Sequence, residues 1–423
     1  MATLQEICLL ITDGKHGDCQ NEEASGFYFI SCKDVKDGWI EYSGARQITE
    51  KDYLDTHKRT QLEPNDILIT NSGTIGRMVL VNDVPETSRT TFQKSVAIIK
   101  PNLEKVFPQW FFYSLLANRE TLVSWAGGTA QKNLLLRDLR AFEINISPFP
   151  TQQKIATILS AYDDLIENNL RRIKILEEMA QTLYREWFVK FRFPGHQKVK
   201  MVDSPLGKIP EGWEVATLDD VLATLESGSR PKGGIDPEAR GVPSIGAENI
   251  IGLGRYDYSK GKFITRDFFN NMNRGYVQSG DVLLYKDGAQ IGRKSMFRDG
   301  FPHAECCINE HVFILRTNRR CSQNYLFFWL DQPKMTQNII NLNANAAQPG
   351  INQSGVRSLS ILLPPTPLLE IAEQVLEPIL GALFNNAKRN NVLRQTRDLL
   401  LPKLISGELD VSELDITIPE ANA

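Results

Sequence analysis

Long apolar runs are missing from this chain. None approaches the roughly 18 consecutive apolar residues that a membrane span requires, so no membrane-crossing role is expected. The opening residues, MATLQEICLL, lack the basic flank and small-residue cleavage site of a signal peptide. Cysteine is sparse: six in 423 residues, with no CxxC pair. That usage points to free thiols in a reducing cytoplasm rather than a disulfide framework. Cys306 and Cys307 are adjacent among strand-forming residues and read as core packing rather than metal ligands. A surplus of positive charge is absent too. Lys and Arg number 48 against 51 Asp and Glu, for a net charge of -3. Any nucleic-acid contact must therefore come from local patches. Catalytic signatures are lacking: there is no GxxxxGK(S/T) loop, no GxGxxG after a strand, no NPPY-like tetrapeptide and no HExxH. His16, His57, His196, His303 and His311 are scattered without metal-ligand spacing and read as surface or packing residues. The composition left over, 42% apolar and 23% charged, is that of an ordinary globular protein with room for two to four domains.

What the sequence does contain is itself, twice. ATLQEI at 2–7 returns as ATLDDV at 216–221, and NDILITNSGTIGR at 65–77 as GDVLLYKDGAQIGR at 280–293. QKSVAIIKPN at 93–102 lines up with NEHVFILRTN at 309–318, and PQWFFYSLL at 108–116 with SQNYLFFWL at 322–330. TAQKNL at 129–134 then matches AAQPGI at 346–351, and SPFPTQQKIA at 147–156 matches LPPTPLLEIA at 363–372. Order and spacing are both kept at an offset of about 215 residues. So long a period excludes a short-repeat solenoid and implies two similar domains related by a pseudo-two-fold axis.

Each copy changes texture once. Short β-rich runs such as FYFIS, DILIT, MVLV and SVAII come first, bounded by Gly, Asn, Asp and Pro. One helix-like stretch interrupts them, Trp110–Asn118 in the first copy and Tyr325–Asp331 in the second. After prolines 148 and 150, or 364, 365 and 367, the pattern becomes helical for about 40 residues. In the first of these stretches Ile155, Leu159, Tyr162, Ile166, Asn169, Ile173, Leu176, Ala180, Leu183 and Trp187 alternate steps of four and three, the stripe of a coiled coil. Ala372, Leu376, Ile379, Leu383, Asn386, Asn390, Leu393, Arg397, Leu400 and Leu404 repeat those steps with a more polar second half. Asn169 and Asn386 occupy matching places, where a buried Asn disfavours slipped registers. Pro378 predicts a kink or a delayed start. A helix from Thr151 to Phe188 would span roughly 55 Å, long enough to separate two DNA half-sites about 34 Å apart or more. The plainer alternative is two amphipathic helices, each packed on its own domain.

These motifs resemble the specificity subunits of type I restriction-modification systems. GKIPEGWEVATLDDV at 207–221 is similar to the opening of a target recognition domain, and ITDGKHG at 11–17 to an early DG-x-H segment. DILITNSGTIGR and DVLLYKDGAQIGR resemble the central strand and glycine loop. PFPTQQKIA resembles the start of the helical region, and LLLPKLISGELDV at 399–411 its close. Two departures stand out. Leu368 and Leu369 replace a polar Glu–Gln pair, and no GxIPxGW preamble precedes the first copy, so the C-terminal segment is expected to complete that edge in a circular arrangement.

The resemblance implies an α+β fold: two β-rich target recognition domains with two long helices forming an antiparallel coiled coil. Its segments would be 1–148 and 196–364 for the recognition domains, 149–195 and 365–410 for the helices, and 411–423 for a tail. It implies a non-catalytic subunit that binds double-stranded DNA, each domain reading one half of a bipartite asymmetric target. The helices would set the spacer and dock two methyltransferase subunits, with two endonuclease/translocase subunits joining them. S-adenosylmethionine, ATP and magnesium would belong to those partners.

Base edges are read by Arg or Lys at guanine, Asn or Gln at adenine, and Ser or Thr at either, from loops held on a scaffold. The first-domain candidates are Lys15, His16, Lys33, Ser72, Thr74, Arg77, Gln131, Lys132 and Asn133. In the second they are Ser229, Arg230, Lys232, Asn249, Lys286, Asp287, Gln290, Arg293, Gln348 and Asn352. The loop glycines can equally serve a tight turn, leaving their neighbours as bystanders. Lys190, Arg192, Lys198 and Lys200 form a small basic run that reads as a solvated linker. Two other function classes compete: a duplicated adaptor for protein or glycan, and a self-contained methyltransferase or nuclease.

Overall fold

Ile67, Leu68 and Ile69 are all fully buried, which a strand achieves only when both faces of its sheet are covered. Ile67 and Ile69 enter one apolar cluster with Trp110 and Phe111, while Leu68 enters another with Ile30 and Phe92. The second copy does the same: Val282 and Leu284 face one cluster, Leu283 the other. The computed structural model of the chain describes residues 1–128, 132–234, 241–343 and 350–418. Its chain folds into two compact units, residues 1–164 with 394–423, and residues 165–393.

In the first unit a four-stranded antiparallel sheet runs in the order Cys8–Asp13, Val96–Pro101, Ile67–Thr70, Met78–Leu80. A three-stranded sheet places Tyr28–Ile30 between Arg46–Gln47 and the parallel strand Thr90–Phe92. The second unit repeats both. Leu222–Ser227, Val312–Thr317, Asp281–Tyr285 and Lys294–Phe297 form its larger sheet. Val242–Ile245 lies between Phe263–Ile264 and the parallel strand Cys307–Ile308. Even the irregularity is copied: the edge strand of each larger sheet shifts register near its start, between Cys8 and Leu10 and between Leu222 and Thr224. Cys306 and Cys307 are buried free thiols in apolar clusters, as packing residues should be.

The helix on each larger sheet starts from a local signal. Pro108 stands in the first turn of Pro108–Ala117, where its missing N–H costs nothing. The Ser322 hydroxyl caps Gln323–Asp331 by accepting the Tyr325 N–H at 3.1 Å.

The long helices are Phe149–Tyr184, continued by a π turn at Arg185–Val189, and Thr366–Ser406. Helix therefore stops before the expected 195, where Phe191 takes a positive φ. Lys190 and Arg192 beyond it pair with Glu186. Pro378 does not delay the second helix, which begins at Thr366. Leu376 and Leu380, buried on either side of the proline, supply the packing that outweighs the lost backbone hydrogen bond. Within each unit the helical segments run antiparallel. In the first, Asp163 pairs with Arg397, and the Lys154 ammonium donates to the Ser412 carbonyl. In the second, Asn169 Nδ2 donates to Asn390 Oδ1 at 2.8 Å, and Asn390 Nδ2 donates to the Ile166 carbonyl at 3.2 Å.

Most of the expected stripe is buried: Ile155, Leu159, Ile166, Asn169, Ile173 and Ala180 on one helix, Ala372, Leu376, Leu383, Asn386, Asn390 and Leu404 on the other. Tyr162, Leu176 and Leu183, like Ile379, Leu393 and Leu400, are half-buried. Asn169 pairs with Asn390, while Asn386 donates to the Ala382 carbonyl of its own helix. The second helix also buries Leu380, Phe384 and Ala387, because it packs on its own domain as well as on the other helix, Phe384 meeting Phe301. The compact units each take a piece of both helices.

Candidate nucleic-acid interface

In the first unit four loops converge at one end of the larger sheet. The Lys15 N–H donates to the Phe92 carbonyl at 2.9 Å, and the Lys94 N–H donates to the Lys15 carbonyl at 3.1 Å. Asn71 N–H reaches the Ser95 carbonyl at 3.1 Å, and Leu134 N–H reaches the Asn71 carbonyl at 2.8 Å. Gly14 makes the crossing possible, since a Cβ there would lie 2.0 Å from the Phe92 carbonyl oxygen. Between these loops lies a pocket of about 230 Å³ lined by Asp13, Asn71, Ser72, Lys94, Asn133 and the run Leu134–Leu136.

The second unit builds the same crossing with other side chains. A Cβ on Gly228 would lie 1.7 Å from the Ile308 carbonyl oxygen. Lys286 N–H donates to the His311 carbonyl at 3.1 Å, and Ile351 N–H to the Lys286 carbonyl at 3.0 Å. The glycine loops close alike. Thr70 N–H bonds the Arg77 carbonyl and Gly76 N–H the Thr70 carbonyl, at 2.9 and 2.8 Å. Tyr285, Arg293 and Gly292 repeat this at 2.9 and 3.1 Å, around a loop one residue longer. Gly76 and Gly292 have φ of 87 and 89, and a Cβ would press on Val123 or Ile340. These glycines thus serve the turn and the close helix approach.

Side chains at the first cluster are mainly basic. Lys15 pairs with Asp55 at 3.0 Å, and that bond raises its pKa. The buried Asp13 carboxylate meets His16 at 2.9 Å and Arg59 at 2.7 Å. Lys33 is exposed beside Cys32, whose N–H donates to Ser95 Oγ at 3.1 Å. Thr74 is exposed, Ser72 and Arg77 half-buried, and Lys132 exposed next to Asn133, which bridges to Ser72. At the second cluster the charges alternate. Arg230 lies 3.4 Å from Glu310, His311 lies 3.4 Å from Glu310 and 3.3 Å from Asp287, and Lys286 lies 2.7 Å from Asp287. Ser229 is half-buried, whereas Lys232, Gln290 and Arg293 are exposed.

Not every candidate fits an interface. Asn249 is fully buried, its Oδ1 accepting the Gly246 N–H at 3.1 Å, so it shapes a turn and reaches no base edge in this conformation. Asn352 is exposed but caps the helix Gln353–Arg357, accepting the Gly355 N–H at 2.8 Å. Gln131 and Gln348 lie outside the described residues. The clusters also hold Asn71, Lys94, Glu310 and His311, which the sequence did not single out as base readers. The signal was present in the aligned segments QKSVAIIKPN and NEHVFILRTN, whose differing heads, Gln93-Lys94-Ser95 and Asn309-Glu310-His311, precede shared strands.

Among the described residues no helix is long and apolar enough to cross a membrane. A family model described as the type I restriction modification DNA specificity domain matches twice, over residues 3–178 and 210–394. The chain is similar to the type I restriction enzyme MjaIX specificity subunit of Methanocaldococcus jannaschii, 28% identical over 386 residues, 88% of this chain and 83% of that one. The MjaVIII specificity subunit of the same organism is 24% identical over 399 residues, 93% of this chain and 89% of that one. A crystal structure of the type I restriction-modification S subunit from M. genitalium shares the fold, with TM-score 0.55 and 15% identity over 96% of this chain and 95% of that one. With that domain matched twice across most of its length, the chain belongs to the family of type I restriction modification DNA specificity proteins.

Proposed function

We propose that this chain is the non-catalytic DNA-reading subunit of a type I restriction-modification complex, each unit reading one half of a bipartite, asymmetric target. The observation that carries this reading is the loop cluster built twice on one backbone plan but furnished differently: Lys15, His16 and Lys94 in the first unit, Ser229, Arg230 and Glu310 in the second. A shared scaffold with unlike polar groups is what two different half-sites require. The paired helices set the length between the halves. They also offer docking surface, for Leu165, Leu170, Ile175 and Met179 are exposed on one and Ile371, Val375 and Leu399 on the other. Two methyltransferase subunits dock there, and two endonuclease/translocase subunits join them. S-adenosylmethionine, ATP and magnesium reside on those partners, in the cytoplasm.

Mapping methylated bases genome-wide tests this reading. Deleting the chain is expected to abolish one split motif with a fixed spacer. Exchanging residues 1–145 for another first domain is expected to change one half of it only, and inserting four residues near Asn169 to change the spacer. Persistence of the motif after deletion would turn the assignment toward an adaptor, and an unchanged spacer would remove the helices from the measuring role.

A further inference from the structure

Lys94 and Glu310 occupy one place on the duplicated scaffold. Gln93 N–H donates to the Ile30 carbonyl at 2.9 Å and Asn309 N–H to the Ile245 carbonyl at 2.9 Å. One residue beyond each stands Lys94 or Glu310. One further on, the carbonyls of Ser95 and His311 accept the N–H of Asn71 and of Lys286, both at 3.1 Å. The backbone is the same and the charge is inverted.

Their surroundings differ accordingly. Lys94 is exposed and forms no ion pair among the described residues. It shares the first unit's pocket with Asn71, whose shielded Oδ1 has no hydrogen-bond partner. Glu310 is half-exposed. Its Oε1 lies 3.4 Å from both Arg230 and His311, while its shielded Oε2 has no partner. A bare carboxylate facing DNA would be repelled by the phosphates, and the flanking Arg230 offsets that repulsion. An ammonium can only donate hydrogen bonds and a carboxylate can only accept them. In the major groove guanine presents two acceptors, O6 and N7, whereas cytosine N4 and adenine N6 present donors.

We propose that Lys94 and Glu310 are specificity-determining residues of opposite polarity, Lys94 donating to a guanine in one half-site and Glu310 accepting from an amino-bearing base in the other. The proposal rests on the function given above, and its test separates the two. The full chain is expressed with its modification subunits, and methylated sites are mapped for the wild type and for K94E, K94A, E310K and E310A. The lysine variants are expected to alter base preference at one position of the first unit's half-motif only, and the glutamate variants at one position of the second unit's half only. The share of methylated sites carrying a formerly disfavoured base there is expected to rise about tenfold or more. E310K is expected to move its position toward guanine, and E310A to relax it. Wild-type motifs in all four variants overturn the proposal. So does a uniform loss of methylation with no change of base preference, which marks a phosphate contact or a folding defect. A wild type that yields no bipartite motif refutes the proposed function itself, and the inference falls with it.

Discussion

Asp66 and Lys100 form a buried ion pair at 2.7 Å, and the second unit repeats it with Asp281 and Arg316 at 2.6 Å. Each carboxylate also accepts a backbone N–H at 2.7 Å, from Glu63 and from Gln278. Just before them Asn65 and Gly280 hold φ of 75 and 88, a conformation that glycine takes freely and asparagine tolerates. The ND and GD that open the repeated strands are therefore the mark of one tight entry turn locked by one carboxylate. That much was legible in the sequence; the cation locking it was not, because it comes from a strand some 35 residues away. Burial pushes the Asp66 carboxyl up to about 6, against the pull of Lys100. An acid whose folded pKa is raised binds its proton more tightly when folded. Its stabilising contribution is therefore full below about pH 4 and is lost as pH rises through about 6. Asp66→Asn is expected to remove that dependence. The difference in unfolding free energy between variant and wild type should move in the variant's favour by on the order of 1–3 kcal/mol across that window. Parallel pH profiles from denaturant titration would show that Asp66 titrates at its ordinary value.

At the scale of elements, the heptad stripe foretold which helix faces are buried but not which residues meet. Asn169 meets Asn390, one turn beyond its repeat counterpart Asn386. The reason is that a stripe read from one helix carries no information on the offset of its neighbour, which the domains at either end fix. Leu380 and Phe384 escaped the stripe for a related reason: their face of the helix serves the domain core, not the seam. The Asn169–Asn390 pair is shielded, and Asn390 also donates to the Ile166 carbonyl at 3.2 Å. Asn169→Ala leaves the buried Asn390 Oδ1 without its donor and is expected to cost about 1–3 kcal/mol. Replacing both by Leu removes the polar groups together and should recover most of that loss, while weakening the register they enforce. A double-mutant cycle by denaturant unfolding decides the matter. Additive losses would mean that the two amides are not coupled.

At the scale of the whole molecule the two units complete their cores from different parts of the chain. The second unit's core is completed by Phe188 and Phe193, which follow its incoming helix, and by Trp213 of the preamble. The first unit's core is completed from elsewhere. Leu404 and Val411, from the far end of the chain, enter the cluster that holds Leu4, Ile7, Ile155 and Leu159. The C-terminal segment thus completes the first unit's core, as the motifs of the repeat led one to expect. The side chains that furnish the loops were less legible: Asn249 holds a turn and Asn352 caps a helix, because polar side chains near a glycine or a helix start serve the backbone as readily as a ligand. This closure makes an asymmetric prediction. Truncation before Arg394 deletes no part of the second unit but takes Leu404 and Val411 from the first, a loss of about 3–6 kcal/mol at roughly 1.5–3 kcal/mol per buried side chain. Amide hydrogen exchange on the truncated chain is expected to show faster exchange in strands Cys8–Asp13 and Ile67–Thr70, and unchanged protection in Asp281–Tyr285 and Val312–Thr317. Equal loosening of both sets would mean that the C-terminal segment supports the two copies together. No loosening in either would mean that the first copy closes its core without it.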